Sequence, residues 1–308
     1  MPLKKAIIGN ERVAEMLEKS YNSDKLSHAY LFEGPDHIGK KTLALAFCKL
    51  LLQNGSTREY GANSGNNVEK NPDLIILRPD EDKKQIVIEQ IRDLQKSLSL
   101  FPYSSKYKIA IIEQADKMSK SAANAILKTL EEPSKTTILM LLTSSPNNLL
   151  DTIKSRCQTF KFMPVKRKAL EEFLEDKIED KTEAEKIIEM SGYKPGKIAE
   201  LINNKNRVIE LSDIINKFSS VAQKNDFERL EEAETISKKE MVEIVNSLDL
   251  YSFYFRKVLL KEYGAGEIDK GRILKIRNNI NLIKSAKENL LTKNVSARLA
   301  LENLFLQV

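Results

Sequence analysis

Short apolar runs alternate with amphipathic stretches along the first half of the chain, and the alternation stops near Pro164. The runs lie at His28-Ala29-Tyr30-Leu31-Phe32, Asp73–Leu77, Lys108–Ile112 and Thr137–Leu142, and the more polar Gln158–Phe162 can be a last strand. Continuous apolar runs this short, bounded by turn residues, read as strands buried on both faces. Between them the apolar positions return at intervals of three and four, the period of a helix with one buried face. Lys40–Leu52 (Leu43, Leu45, Phe47, Leu50, Leu51), Ile86–Leu98, Ser119–Leu130 and a short Pro146–Ile153 follow that pattern. Asn10 is a candidate cap for a first helix carrying Val13, Met16 and Leu17. Strands alternating with helices predict an α/β fold, a parallel sheet with helices on both faces. From Gln53 to Asn71 the sequence turns to Gly, Asn and Ser and predicts a long exposed loop.

Beyond Pro164 only the helical period remains. Lys166–Lys181, Glu183–Met190 and Gly196–Ile202 read as short helices, with a Gly-Tyr-Lys-Pro-Gly break at 192–196. From Lys205 onward everything is helical in period. Met241–Leu260 is the most apolar segment, and a final helix carries Val295, Leu299, Leu304 and Phe305. These shifts divide the chain into an α/β core over 1–165, a small helical domain over 166–206 and an all-α domain over 207–308.

Charged residues make up 31% of the 308 and apolar residues 41%, the profile of a globular protein. A net charge of +6 admits a nucleic-acid partner without establishing one. No apolar run approaches the ~20 residues of a membrane span. The N-terminus, MPLKKAIIGNERV, lacks the apolar centre of a signal peptide. Two cysteines in so long a chain point to a reducing cytoplasm and leave no four-cysteine zinc site. The expectation is a cytoplasmic protein with no membrane contact.

The stretch with the clearest chemistry is LFEGPDHIGKKT, Leu31–Thr42. A strand runs into Gly34, four residues intervene, and Gly39-Lys40 opens a helix. This is the spacing of a phosphate-cradling loop, in which glycines let the backbone wrap around phosphate and the lysine reaches its terminal oxygens. The next position should be Ser or Thr, to hold Mg2+, but here it is Lys41, with Thr42 after it. An ammonium repels that metal. A second departure lies at KIAIIEQAD, the apolar strand ending in acids that completes such a site. Glu113 stands where an Asp is usual. Gln114 stands where a Glu would polarise water, and an amide cannot take that proton. The two departures fall on one metal-and-water site and predict an ion pair between Lys41 and Glu113.

HAYLFEGPDHIGKKTLALAF, KIAIIEQADKMSKSAANAILKTLEEP and ILMLLTSSPNNLLDTIKSRCQ together resemble the clamp-loader branch of the AAA+ family. The likeness is strong over roughly residues 1–200 and looser beyond. It implies an AAA+ P-loop core, a helical lid and a helical collar that holds a five-membered ring together. It also implies Ser155-Arg156-Cys157 as the motif whose arginine, Arg156, enters a neighbouring subunit's ATP site. Thr143 then falls in the sensor 1 region, beside Ser144, and Lys197 is a sensor 2 candidate. The surrounding run 152–168 holds Lys154, Arg156, Lys161, Lys166, Arg167 and Lys168 and no acid, which suits an anion.

By the same resemblance the partners are the motor subunits and the delta subunit, with primed DNA met through the assembled complex and the sliding clamp weakly or indirectly. The implied role is a non-hydrolysing member within a DNA polymerase holoenzyme, requiring no cofactor and no zinc, with residual nucleotide binding at Lys40 left open. Two other members are weighed against it. A working motor ATPase is opposed by Lys41, Glu113 and Gln114. The clamp-opening delta subunit would lack both the phosphate loop and the Ser-Arg-Cys arginine.

Overall fold

The computed structural model describes residues 3–53, 68–80, 83–221, 223–264, 269–292 and 295–308. Most of the loop expected over Gln53–Asn71 lies outside them, at 54–67. The chain forms two compact units, Met1–Lys177 with Lys194–Gly196, and Ile178–Tyr193 with Lys197–Val308.

The first unit is built on a parallel sheet of β1 (Ala29–Glu33), β2 (Leu74–Leu77), β3 (Lys108–Ile112), β4 (Thr137–Thr143) and β5 (Gln158–Lys161). Their spatial order is β2-β3-β4-β1-β5. Leu31 sits opposite Leu141 on one side and Thr159 on the other, and Ile111 opposite Met140. β3 and β4 are buried along their whole length, as strands flanked on both sides by neighbours and on both faces by helices must be. β5 is an edge strand, and only Phe160 in it is buried. Its polar remainder is what discourages further pairing at an edge.

On one face Leu31, Ile112 and Leu141 pack with Ile91 and Leu94 of α3 (Ile88–Ser99), Ile126 and Leu130 of α4 (Lys120–Glu131), and Ile153 of α5 (Asp151–Lys154). On the other, Tyr30 meets Phe47 of α2 (Lys40–Gln53) edge to face at 5.6 Å. Phe32 meets Phe160 likewise at 5.9 Å.

Two local signals came out differently. Asn10 stands before α1 (Glu11–Asn22) in a left-handed conformation, φ 58°, and its side chain makes no cap bond. Its amide instead pairs with the backbone of Met163, accepting from the N–H at 2.7 Å and donating to the carbonyl at 3.0 Å. Ile86, expected to open a helix, bridges to Met118, with its N–H donating to Lys117 O at 2.9 Å. α3 therefore begins at Ile88.

α6 (Arg167–Glu175) still belongs to the first unit, so the expected boundary at 165 does not coincide with this division. The second unit holds α7 (Lys181–Ser191), most of α8 (Pro195–Asn203), α9 (Lys205–Val221), α10 (Asp226–Ser237), α11 (Met241–Gly264), α12 (Lys270–Thr292) and α13 (Ala297–Gln307). Its core gathers Ile244, Leu248 and Tyr251 with Ile283 and Leu290, and with Leu301, Leu304 and Phe305. Among the described residues no helix is long and apolar enough to cross a membrane.

Candidate functional site

In a parallel sheet the carboxyl ends of all strands share one edge, and crevices form there. β1 ends at Glu33, and the chain turns at Gly34 with φ 152°. A Cβ at this position would lie 2.6 Å from Phe162 O, so only glycine fits. The loop passes Gly39, φ 100°, and α2 begins at Lys40. With the ends of β3 and β4 this loop encloses a cleft of about 420 Å³. Its lining includes Asp36, Gly39, Lys40, Lys41, Thr42, Glu113, Gln114, Thr143 and Ser144. The residues expected to form a phosphate site are thus brought together.

Both lysines of the loop contact groups of the chain itself. Lys40 is buried and donates to the carbonyls of Gly34 and Pro35, the latter at 2.7 Å. Burial pushes its pKa down, Asp36 and Asp116 oppose that shift, and Lys194 adds to it. Its Nζ is thus tied to the loop's own carbonyls.

Lys41 Nζ lies 3.0 Å from Glu113 Oε1 and 3.4 Å from Glu69 Oε1. Arg78 Nε reaches the same Glu113 oxygen at 3.1 Å, and its Nη2 lies 3.9 Å from Glu69. The pair expected from the sequence is present, inside a network of two cations and two carboxylates. A divalent cation at Glu113 would have to displace one ammonium and face a guanidinium. The residues present do not fit Mg2+.

Gln114 follows in the left-handed region, φ 51°, at the cleft wall. Thr143 is fully buried, and its hydroxyl donates to Asp116 Oδ1 at 2.6 Å. The same carboxylate accepts the Ser144 N–H at 3.3 Å, while Thr143 Oγ1 accepts the Ser145 N–H at 3.0 Å. Asp116 was not singled out from the sequence as a site residue. Its place two residues after Gln114, on the strand-end turn, was the available signal.

Arg156 stands elsewhere. It precedes β5, so it lies at the amino-end edge of the sheet, opposite the cleft, and it is not among the cleft's lining residues. At ~3.3 Å per residue these strands put roughly 13–17 Å between the two edges. Its Nη1 donates to Thr152 O at 3.0 Å and its Nη2 meets Glu131 Oε1 at 2.8 Å. Ser155 Oγ donates to Thr152 O at 3.1 Å, which fixes the turn. Cys157 packs against the core beneath, and burial pushes its thiol up to about 12, out of nucleophile range.

The run expected to attract an anion is largely neutralised within the chain. Lys154 pairs with Asp151 at 2.7 Å, Lys161 with Glu33 at 3.3 Å and Arg167 with Glu171 at 2.6 Å. Lys168 lies 3.9 Å from Glu172. The acids come from outside 152–168, which a window of sequence does not reveal. Lys197 belongs to the second unit, where its Nζ lies 3.4 Å from Asn246 Oδ1.

A family model described as "DNA polymerase III, delta subunit" matches residues 9–166, half of the chain. The chain belongs to the DNA polymerase III delta-subunit family. Its relatives include the protein named DNA polymerase III subunit delta′ of Bacillus subtilis, 38% identical over 65% of this chain and 58% of that one. The protein of the same name from Pseudomonas aeruginosa is 40% identical over 42% of each. The chain thus matches about half the length of these delta′ relatives. Among solved structures, a DNA polymerase III gamma subunit-related protein from Thermotoga maritima superposes with a TM-score of 0.52. That match covers 94% of this chain and 97% of the other at 18% identity, and it shows a shared fold. The match to the delta-subunit family covers Arg156 and the phosphate-loop and strand-end residues of the cleft.

Proposed function

We propose that the chain is a non-hydrolysing subunit of the bacterial replication clamp loader. In this reading it joins motor subunits and the delta subunit in a ring and supplies Arg156 to a neighbour's ATP site. It meets primed DNA through the assembled complex and the sliding clamp weakly or indirectly, in the cytoplasm. Residues 1–165 supply the core. The helices from 166 onward serve as lid and, from 207, as the collar that binds the ring. No zinc or other cofactor is required, and any nucleotide held at Lys40 is residual.

The observation that carries the reading is the Lys41–Glu113 contact of 3.0 Å. The chain's own ammonium fills the position where Mg2+ would be needed, and Gln114 offers no base for water. The opposite-edge position of Arg156 supports action in trans, because the residue is on the wrong side of its own sheet to serve its own cleft.

The test is twofold. Purified chain, incubated with ATP and Mg2+, is expected to show no turnover above background. Tagged chain is expected to capture the DNA polymerase III motor and delta subunits from an extract. Motor-like, magnesium-dependent turnover by the purified chain would overturn the non-hydrolysing reading. Failure to capture either subunit would overturn the assembly reading.

A further inference from the structure

Helix α4 closes on Glu131, directly before Glu132 and Pro133. A carboxylate in that place faces the negative end of the helix dipole, so the helix itself disfavours it. What rewards it lies across the turn, where Arg156 Nη2 meets its Oε1 at 2.8 Å. The guanidinium is held from a second side, where Nη1 donates to Thr152 O at 3.0 Å and lies 3.4 Å from Ser155 Oγ.

The two supports come from α4 and α5, and both are anchored in one core. Leu130, beside Glu131, and Ile153, beside Thr152, are buried in the same cluster, and Cys157 packs on it. Arg156 remains 36% exposed and Glu131 49%, so the pair stands at the surface. An arginine has five N–H donors in a planar fork, and these contacts occupy only part of them.

We propose that Glu131 is the positioning residue for Arg156. It fixes the guanidinium in one orientation while leaving donors for an anionic phosphoryl group brought by a neighbour. The inference rests on the reading of Arg156 as a residue acting in trans. Glu131 does not have to release the arginine, because carboxylate and phosphate occupy different edges of one fork.

The experiment is a double-mutant cycle in the reconstituted complex of motor subunits, delta and this chain. Clamp loading on primed DNA is measured with the wild type, Glu131→Ala, Glu131→Gln, Arg156→Ala and the Glu131→Ala/Arg156→Ala pair. Ring assembly is followed alongside. Glu131→Ala is expected to lower the loading rate by a few-fold to about ten-fold at unchanged assembly, the range of directly coupled neighbours. Glu131→Gln, which keeps an acceptor oxygen, recovers most of the rate. The double variant is no slower than Arg156→Ala alone.

Loading at or above the wild-type rate in Glu131→Ala, with Arg156→Ala slow, overturns the positioning role and leaves the finger standing. Equal losses from Glu131→Ala in both arginine backgrounds also overturn it, since Glu131 would then act by another route. A silent Arg156→Ala removes the finger reading, and the positioning role with it.

Discussion

Asp73 is wholly buried, and it accepts the N–H groups of Tyr103 at 2.6 Å, Ser104 at 2.9 Å and Ser105 at 2.9 Å. Burial pushes its carboxyl up, but the bonds from Tyr103, Ser104 and Ser105 together outweigh that and hold it below the usual carboxylate range. A carboxyl with a lowered folded pKa stabilises fully above its unfolded value of about 3.9. That contribution fades as pH falls through the folded value. Asp73→Asn is therefore expected to be less stable at pH 7 and to show a shallower loss of stability below about pH 4. Urea unfolding at pH 7, 4 and 3 checks this, and parallel curves for the two proteins would contradict it. Asp73→Ala removes the acceptor of three part-buried N–H groups and should cost on the order of 1–3 kcal/mol.

Contacts of this kind were not legible in the sequence, because Asp73 and Tyr103–Ser105 meet only once β2 and β3 are adjacent. Lys41 and Glu113 are farther apart in sequence still, yet their meeting was legible. The glycine spacing and the strand-end acids fix both positions in a known geometry. Arg156 and Glu131 had no such template, so the pair emerged only from the structure.

At the scale of elements, the strands were legible to within a residue or two. Unbroken apolar runs such as those of β1, β3 and β4 have few other uses in a chain this rich in charge. What failed were side chains recruited across the fold. Asn10 has the composition of a cap, but a left-handed backbone turns its amide to Met163, while Ser119 does cap α4 by accepting the Ala122 N–H at 3.2 Å. Ser119→Ala is accordingly expected to cost about 1 kcal/mol, and Asn10→Ala to act through the 10–163 link rather than through helix α1. Hydrogen exchange separates the two. Ser119→Ala loosens the first turn of α4, and Asn10→Ala loosens Met163.

Gly34 has a stricter demand. Its φ is 152°, and a Cβ on it would stand only 2.6 Å from Phe162 O, which leaves no room for alanine. Gly34→Ala should cost on the order of 2 kcal/mol or more, lowering the thermal midpoint and disturbing β5 along with the loop. A midpoint equal to wild type would contradict the tight turn.

At the scale of the whole molecule, the parallel sheet separates two jobs. Its carboxyl edge holds a cleft whose cations are already matched by the chain's own acids, and its amino edge presents Arg156. Strand order decides this. β5 pairs beside β1, so the turn before β5 and the loop after β1 fall on opposite edges. The sequence carried both motifs but not the distance between them, which depends on that pairing. In the proposed reading, Arg156 on the far edge reaches a nucleotide that another subunit brings.

The most direct measurement is clamp loading on primed DNA by rings reconstituted with Arg156→Ala or Arg156→Lys, with assembly followed by size exclusion. Arginines that stabilise phosphoryl transfer are worth about 10³ to 10⁵ in rate at the site they serve. A ring holds several such sites, so coordinated loading should fall far more than total ATP turnover. Arg156→Lys should not restore it, because an ammonium lacks the two-pronged fork. Both variants should assemble normally, since substituting a partly exposed surface side chain costs little stability. Normal assembly with loading reduced in both variants is the result the account predicts. Wild-type loading by the Arg156→Ala ring would contradict it.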